Sequence, residues 1–183
     1  MNTMLILDVE TTGISPATAG IVEVGAILLD DRGEEISSFS QLAWPGFERI
    51  NTESHWKALQ ISGISPAELL DAEPVWQVIM RLNHWLDTLD HFSPWPVTSY
   101  NVGFDRGFLD AALSDPQFTD PRWREAFDWR DCIMERMKRH LGLTRWPSLA
   151  RACELLGVER SGGHRALADA RAASCLWQRM EGK

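Results

Sequence analysis

Residues Leu5 to Gly13 read L-I-L-D-V-E-T-T-G, and no other stretch limits the chain as strongly. An apolar run leads into two carboxylates spaced two apart. Successive side chains of a strand point to opposite faces, so Asp8 and Glu10 share one. Gly13 and Pro16 then end the strand. Two acids on one face at a strand's end have three uses. They hold a hard cation, they do acid–base work, or they sit in water. The choice depends on what the rest of the chain brings beside them.

The remaining pattern predicts a strand over 21–30, a turn at Asp31, Arg32 and Gly33, and a third strand over 34–42. Connections this short make antiparallel neighbours. Short helices are predicted over 53–59 and 67–70. Pro74 opens the clearest helix, where Val75, Val78, Ile79, Leu82, Trp85, Leu86 and Leu89 recur at helical spacing. A short strand over 97–100 follows, and Asn101 is placed to cap a helix running to about Leu113. A polar loop covers 114–126, with a fifth strand near 126–129. Helices over 133–141 and 147–156 are closed by Gly142 and Gly157, and a last helix runs over about 165–180. The order predicts one α/β domain over residues 1–183, a mixed five-stranded sheet flanked by helices.

Composition narrows the function classes. No apolar run approaches the ~20 residues of a membrane span, and no signal-peptide pattern opens the chain. A cytoplasmic location is expected, with no membrane partner. Cys132, Cys153 and Cys175 read as buried free thiols, and no Cys/His spacing suggests zinc. Net charge is −8, with −10 in residues 1–100 and +2 in 101–183. Such a chain is poorly suited to coating long nucleic acid through counterion release. It can still grip one strand end through bound metal. The segment from Arg122 to Arg151 holds eight basic and four acidic residues and reads first as a solvated face. Nine tryptophans suit a core or an interface and allow a homodimer.

Two further stretches carry acids. In Y-N-V-G-F-D-R-G-F-L, Asp105 lies in the first turn of the predicted helix. It borders the side formed by Phe104, Phe108, Leu109 and Ala112, where an acid needs a partner. In G-G-H-R-A-L-A-D-A, His164 follows two glycines and Asp169 lies one turn further on. Either residue alone would be a surface group. Together they look like a movable base beside a fixed ligand.

The three stretches resemble the DEDDh exonucleases, the DnaQ-like class of the ribonuclease-H-like superfamily. D-x-E-T-T-G matches Asp8 to Gly13, N-x-x-F-D matches Asn101 to Asp105, and H-x-A-x-x-D matches His164 to Asp169. Order and spacing agree. The resemblance implies that Asp8, Glu10, Asp105 and Asp169 hold two Mg²⁺ or Mn²⁺ ions and that His164 takes a proton from the attacking water. It implies that Thr11 and Thr12 lie at the terminal nucleotide, with Asn101 and Phe104 beside it. The implied reaction releases nucleoside monophosphates from 3′ ends of DNA or RNA, most readily single-stranded. Tyr100 stands where many members have His. Because the chain stops soon after its last helix, a stand-alone enzyme is expected. The alternatives are a proofreading subunit working with a polymerase and a catalytically weak module that binds strand ends. A phosphatase reading of D-V-E-T-T lacks a convincing lysine among Lys57, Lys138 and Lys183.

Overall fold

The computed structural model describes residues 3–89, 94–118, 125–160 and 162–182. Strands β1 (Met4–Thr11), β2 (Ile21–Leu29) and β3 (Glu35–Trp44) form an antiparallel meander. Next come helices α1 (Glu53–Ser62) and α2 (Pro66–Leu70), the two-residue strand β4 (Glu73–Pro74) and α3 (Val75–Leu89). Strand β5 (Trp95–Thr98) pairs parallel with β1, and β6 (Phe127–Trp129) pairs parallel with β5. Between them lies α4 (Val102–Leu113), and α5 (Ile133–His140), α6 (Leu149–Leu156) and α7 (Ala166–Glu181) complete the order. The sheet runs β4-β3-β2-β1-β5-β6.

It therefore has six strands rather than five. The extra strand is β4, and Pro74, the predicted first helical residue, belongs to it. Two residues leave no periodicity to read. Part of the predicted 114–126 loop lies outside the described residues.

Strand β1 divides two cores. Leu5, Leu7 and Val9 face Val78, Ile79 and Leu82 of α3 and Phe108 and Leu109 of α4. Ile6 faces the other way, into the layer of Ile133, Met137, Ala152, Ala170, Ala173 and Leu176 from α5, α6 and α7. By the same alternation Asp8 and Glu10 point toward α7. Their partners in the register are Gly25 and Glu23.

Three side chains depart from expectation. Of the cysteines only Cys153 is buried; Cys175 is exposed and Cys132 half-buried, its Sγ donating to the Tyr100 carbonyl at 3.2 Å. Asn101 occupies the cap position of α4 without a side-chain capping bond. Tyr100 is 7% exposed and its hydroxyl donates to the Pro147 carbonyl at 2.7 Å, so its ring packs.

Asn83 on α3 is 1% exposed, and among the described residues both its amide atoms lack a hydrogen-bond partner. An orphaned buried amide costs about 1–3 kcal/mol. Asn83→Leu, which keeps the branched shape, is expected to raise the unfolding free energy by about 1 kcal/mol. Urea denaturation checks it.

Candidate active site

The carboxyl end of β1 supplies Asp8 and Glu10, α4 supplies Asp105, and the entry to α7 supplies His164 and Asp169. Glu10, His164 and Asp169 each offer a ligand atom, and these atoms all lie within 4.8 Å of one another. Asp8 and Asp105 stand outside that tight group but beside it. Asp8 is held well above the usual carboxylate range by burial first, then by Asp105, Glu10, Asp169 and Glu23. All four predicted acids thus feel one another, although they come from three distant segments.

Asp105 is oriented from below. Its Oδ1 accepts the Val9 N–H at 3.1 Å, and its Oδ2 accepts the Ser99 hydroxyl at 2.7 Å. These are the partners that an inward acid requires. Burial nonetheless pushes its carboxyl up to about 7 against those two bonds. Glu10 is pushed up to about 7 by burial, then by Asp169 and Glu23, with Arg160 opposing.

A folded-state pKa above the unfolded one means that stability is complete below the unfolded value and falls as pH rises toward the folded one. In chelator, the melting temperature should therefore drop between about pH 4.5 and pH 7. For Glu10 alone the loss is about 3 kcal/mol. Other acids, such as Asp30, Glu35, Glu68 and Glu73, have lowered values and exert their effect below that window. A flat profile from pH 4.5 to pH 7 would contradict the clustering.

Two residues that the motifs did not single out hold α7 in place. Glu23 is 2% exposed, directly across from Glu10. It accepts Arg165 Nε at 3.0 Å, Arg165 Nη2 at 2.9 Å and the Ala166 N–H at 3.0 Å. A carboxylate thereby caps the first turn of α7, where the macrodipole favours negative charge. Gly25 lies across from Asp8, and a Cβ there would meet the Leu167 nitrogen at 2.2 Å. The helix backbone rests directly on the strand. The sequence signal was present: one acid and one glycine interrupt the apolar run I-V-E-V-G-A-I-L-L.

The entry to α7 is bent by Gly162 and Gly163, at φ 93° and 59°. Residues with a Cβ rarely adopt such angles. This bend leaves His164 exposed at the mouth while Asp169, 6% exposed, faces the acids. A third unforeseen residue is Arg160. Its Nε donates to Asp169 Oδ1 at 2.9 Å and its Nη2 to Oδ2 at 2.7 Å.

The other predicted residues lie at the end of β1, in the loop after it and at the start of α4. The Thr11 hydroxyl donates to the Gly13 carbonyl at 2.7 Å. Thr12 is fully buried, and its hydroxyl accepts the Gly20 N–H at 3.0 Å, which ties the loop shut. That loop presents Ile14, 91% exposed. Asn101 is exposed, and the half-buried Phe104 ring lies 4.9 Å from Phe108.

A family model described as Exonuclease, that of RNase T, matches residues 5–176. The chain belongs to this exonuclease family. The fold agrees: it superposes with TM-score 0.81 on the nuclease domain of 3′hExo, a DEDDh family member bound to rAMP. That match has 19% identity and covers 99% of this chain and 92% of that one. Escherichia coli exonuclease I in complex with a dT13 oligonucleotide gives 0.77 at 21% identity, covering 99% of this chain and 41% of that one. Among sequence relatives, the PolC-type DNA polymerase III of Bacillus subtilis is 27% identical over 182 residues, 97% of this chain but 11% of the polymerase. That of Bacillus cereus is 26% identical over 180 residues, again 97% and 11%. The exonuclease chain thus spans about a ninth of the length of these relatives. Among its described residues no helix is long and apolar enough to cross a membrane.

Proposed function

We propose that the chain is a metal-dependent 3′–5′ exonuclease that releases nucleoside monophosphates from single-stranded ends of DNA or RNA. One observation carries the reading: Glu10, His164 and Asp169 converge within 4.8 Å, with the buried Asp105 and the half-buried Asp8 alongside. Carboxylate oxygens with one imidazole fit a hard divalent ion, and the crowding of acids gives it a reason to bind. When bound, Mg²⁺ or Mn²⁺, two per site, would stabilise charge on the attacking and departing oxygens of an in-line displacement.

The protein's own groups do the rest. Asp8, Glu10, Asp105 and Asp169 would hold the ions, and Val9 and Ser99 keep Asp105 aimed. His164 takes the proton of the attacking water and passes it to solvent at the mouth. Thr11 and Thr12 shape the loop that meets the terminal nucleotide, Asn101 offers its exposed amide, and the Phe104 ring offers a face to the base. The neighbours' ligands, rAMP and an oligonucleotide, support a site built for a nucleotide end.

The test is degradation of 3′-labelled single-stranded DNA, duplex DNA and RNA with and without Mn²⁺. Mononucleotides released stepwise from the 3′ end, only with metal, are expected. Internal cutting or no release would overturn the reading. His164→Ala should slow hydrolysis by about 10²–10⁴-fold while keeping the rise in melting temperature that Mn²⁺ confers.

A second reading is favoured by the polymerase relatives: the same chemistry serving as a proofreading activity that acts with a polymerase. Preferential removal of a mismatched over a paired 3′ nucleotide, in the presence of a polymerase, would select it.

A further inference from the structure

Arg160 precedes the H-x-A-x-x-D motif and belongs to none of the three motifs. Yet its guanidinium lies among the residues that would hold a metal ion. Both oxygens of Asp169 are engaged by it in a fork, at 2.9 and 2.7 Å. The arginine side chain is 17% exposed and that of Asp169 is 9% exposed, so the pair is largely out of solvent screening. Arg160 Nη2 also stands 3.4 Å from His164 Nδ1. It also lowers the carboxyl of Glu10.

We infer that Arg160 is a built-in counter-cation that holds Asp169 and engages His164 when no divalent ion is present, and that it competes with the ion for Asp169. The inference rests on the proposed metal-dependent reading. Three arguments support it. First, a cluster of mutually repelling acids needs positive charge to stay assembled, and Arg160 supplies it from inside the chain. Second, a guanidinium cannot shed its charge, so a divalent ion sharing Asp169 meets a like charge a few ångströms away. Metal loading therefore favours release of the arginine. Third, a donor on Nδ1 uses the imidazole's lone pair there and leaves the ring proton on Nε2. A general base needs a free lone pair. The arrangement with Arg160 in place is thus a resting state in which both an ion ligand and the base are engaged.

The exchange is a two-state competition. In one state Arg160 holds Asp169, and in the other Asp169 turns to the ion while Arg160 goes to solvent or to the negative charge of a bound nucleic-acid strand. An ion binds more weakly when it must first displace a partner. Removing that partner should tighten its binding.

The experiment measures Mn²⁺ binding directly, by electron paramagnetic resonance of the free ion and by calorimetry, without substrate. Arg160→Gln is expected to melt lower than wild type in chelator and to bind Mn²⁺ at least about tenfold more tightly. Its Mn²⁺-induced rise in melting temperature should be larger for the same reason. Should the Gln variant fail to fold, Arg160→Lys serves. A single ammonium cannot span both oxygens, so its Mn²⁺ dissociation constant should fall below that of wild type. Unchanged or weaker Mn²⁺ binding in the variant that folds would overturn the competition while leaving the metal-dependent reading intact. Absence of Mn²⁺ binding by both wild type and variant would overturn both.

Discussion

Asp8→Asn is expected to remove nucleotide release, lowering kcat by at least about 10²–10³-fold, and to make the metal-free protein more stable. The two effects have one cause. Asp8 is half-buried on β1, and desolvation of its carboxyl together with Asp105, Glu10, Asp169 and Glu23 holds it well above its ordinary value. Its negative charge is therefore unfavourable in the folded chain unless cations are present. Asparagine keeps the size and removes the charge. At pH 8 in chelator the variant should melt higher than wild type, by about 2–4 °C for each kcal/mol of repulsion relieved. With saturating Mn²⁺ the order should reverse, because the variant binds the ions poorly. A residue with a purely architectural role would lose stability in both conditions. Retained activity, or an Asn variant that melts lower in chelator, would contradict the assignment.

Gly25→Ala should be nearly as damaging, although residue 25 carries no chemistry. The added Cβ would lie 2.2 Å from the Leu167 nitrogen and 2.4 Å from the Ala166 carbonyl carbon. Both obstacles are backbone, so no side-chain rotation relieves them. Helix α7 must back away from β2 by roughly 1 Å to reach ordinary contact. His164 and Asp169 would move with it, while Asp8 and Glu10 stay on β1. A misplacement of that size costs about 10²-fold in rate. The melting temperature should also fall by several degrees, since the Glu23 bonds to Arg165 and Ala166 cross the same seam. Gly107→Ala is the matched control: its Cβ would sit 3.6 Å from Pro16, an ordinary contact, inside α4. There alanine adds helix propensity. Equal activity and melting temperature for Gly25→Ala and wild type would show that α7 does not need its close seat.

What the sequence disclosed follows the physics of each signal. The alternation in β1 placed Asp8 and Glu10 on one face, and the apolar recurrence in α3 marked its buried side. These patterns depend on neighbours in the chain, so they can be read from it. The two-residue β4 is defined only by the strand it pairs with, and no local pattern announces it. The seat of α7 on Gly25 joins residues over 140 positions apart; the glycine was visible, but what it makes room for was not. Arg160 looked like one arginine among 15, and only the folded distance to Asp169 sets it apart. Tyr100 stands just before the second motif, and only the folded bond from its buried ring to Pro147 shows that it packs.

The order in which these parts appear along the polypeptide has a consequence for protein synthesis. Asp8 and Glu10 leave the ribosome more than 150 residues ahead of His164 and Asp169, which arrive with α7. A translation product cut short anywhere before that helix carries acids but neither the imidazole nor the last carboxylate. If the proposed chemistry holds, truncated products lack the base and one metal ligand, and hydrolysis awaits the docking of α7.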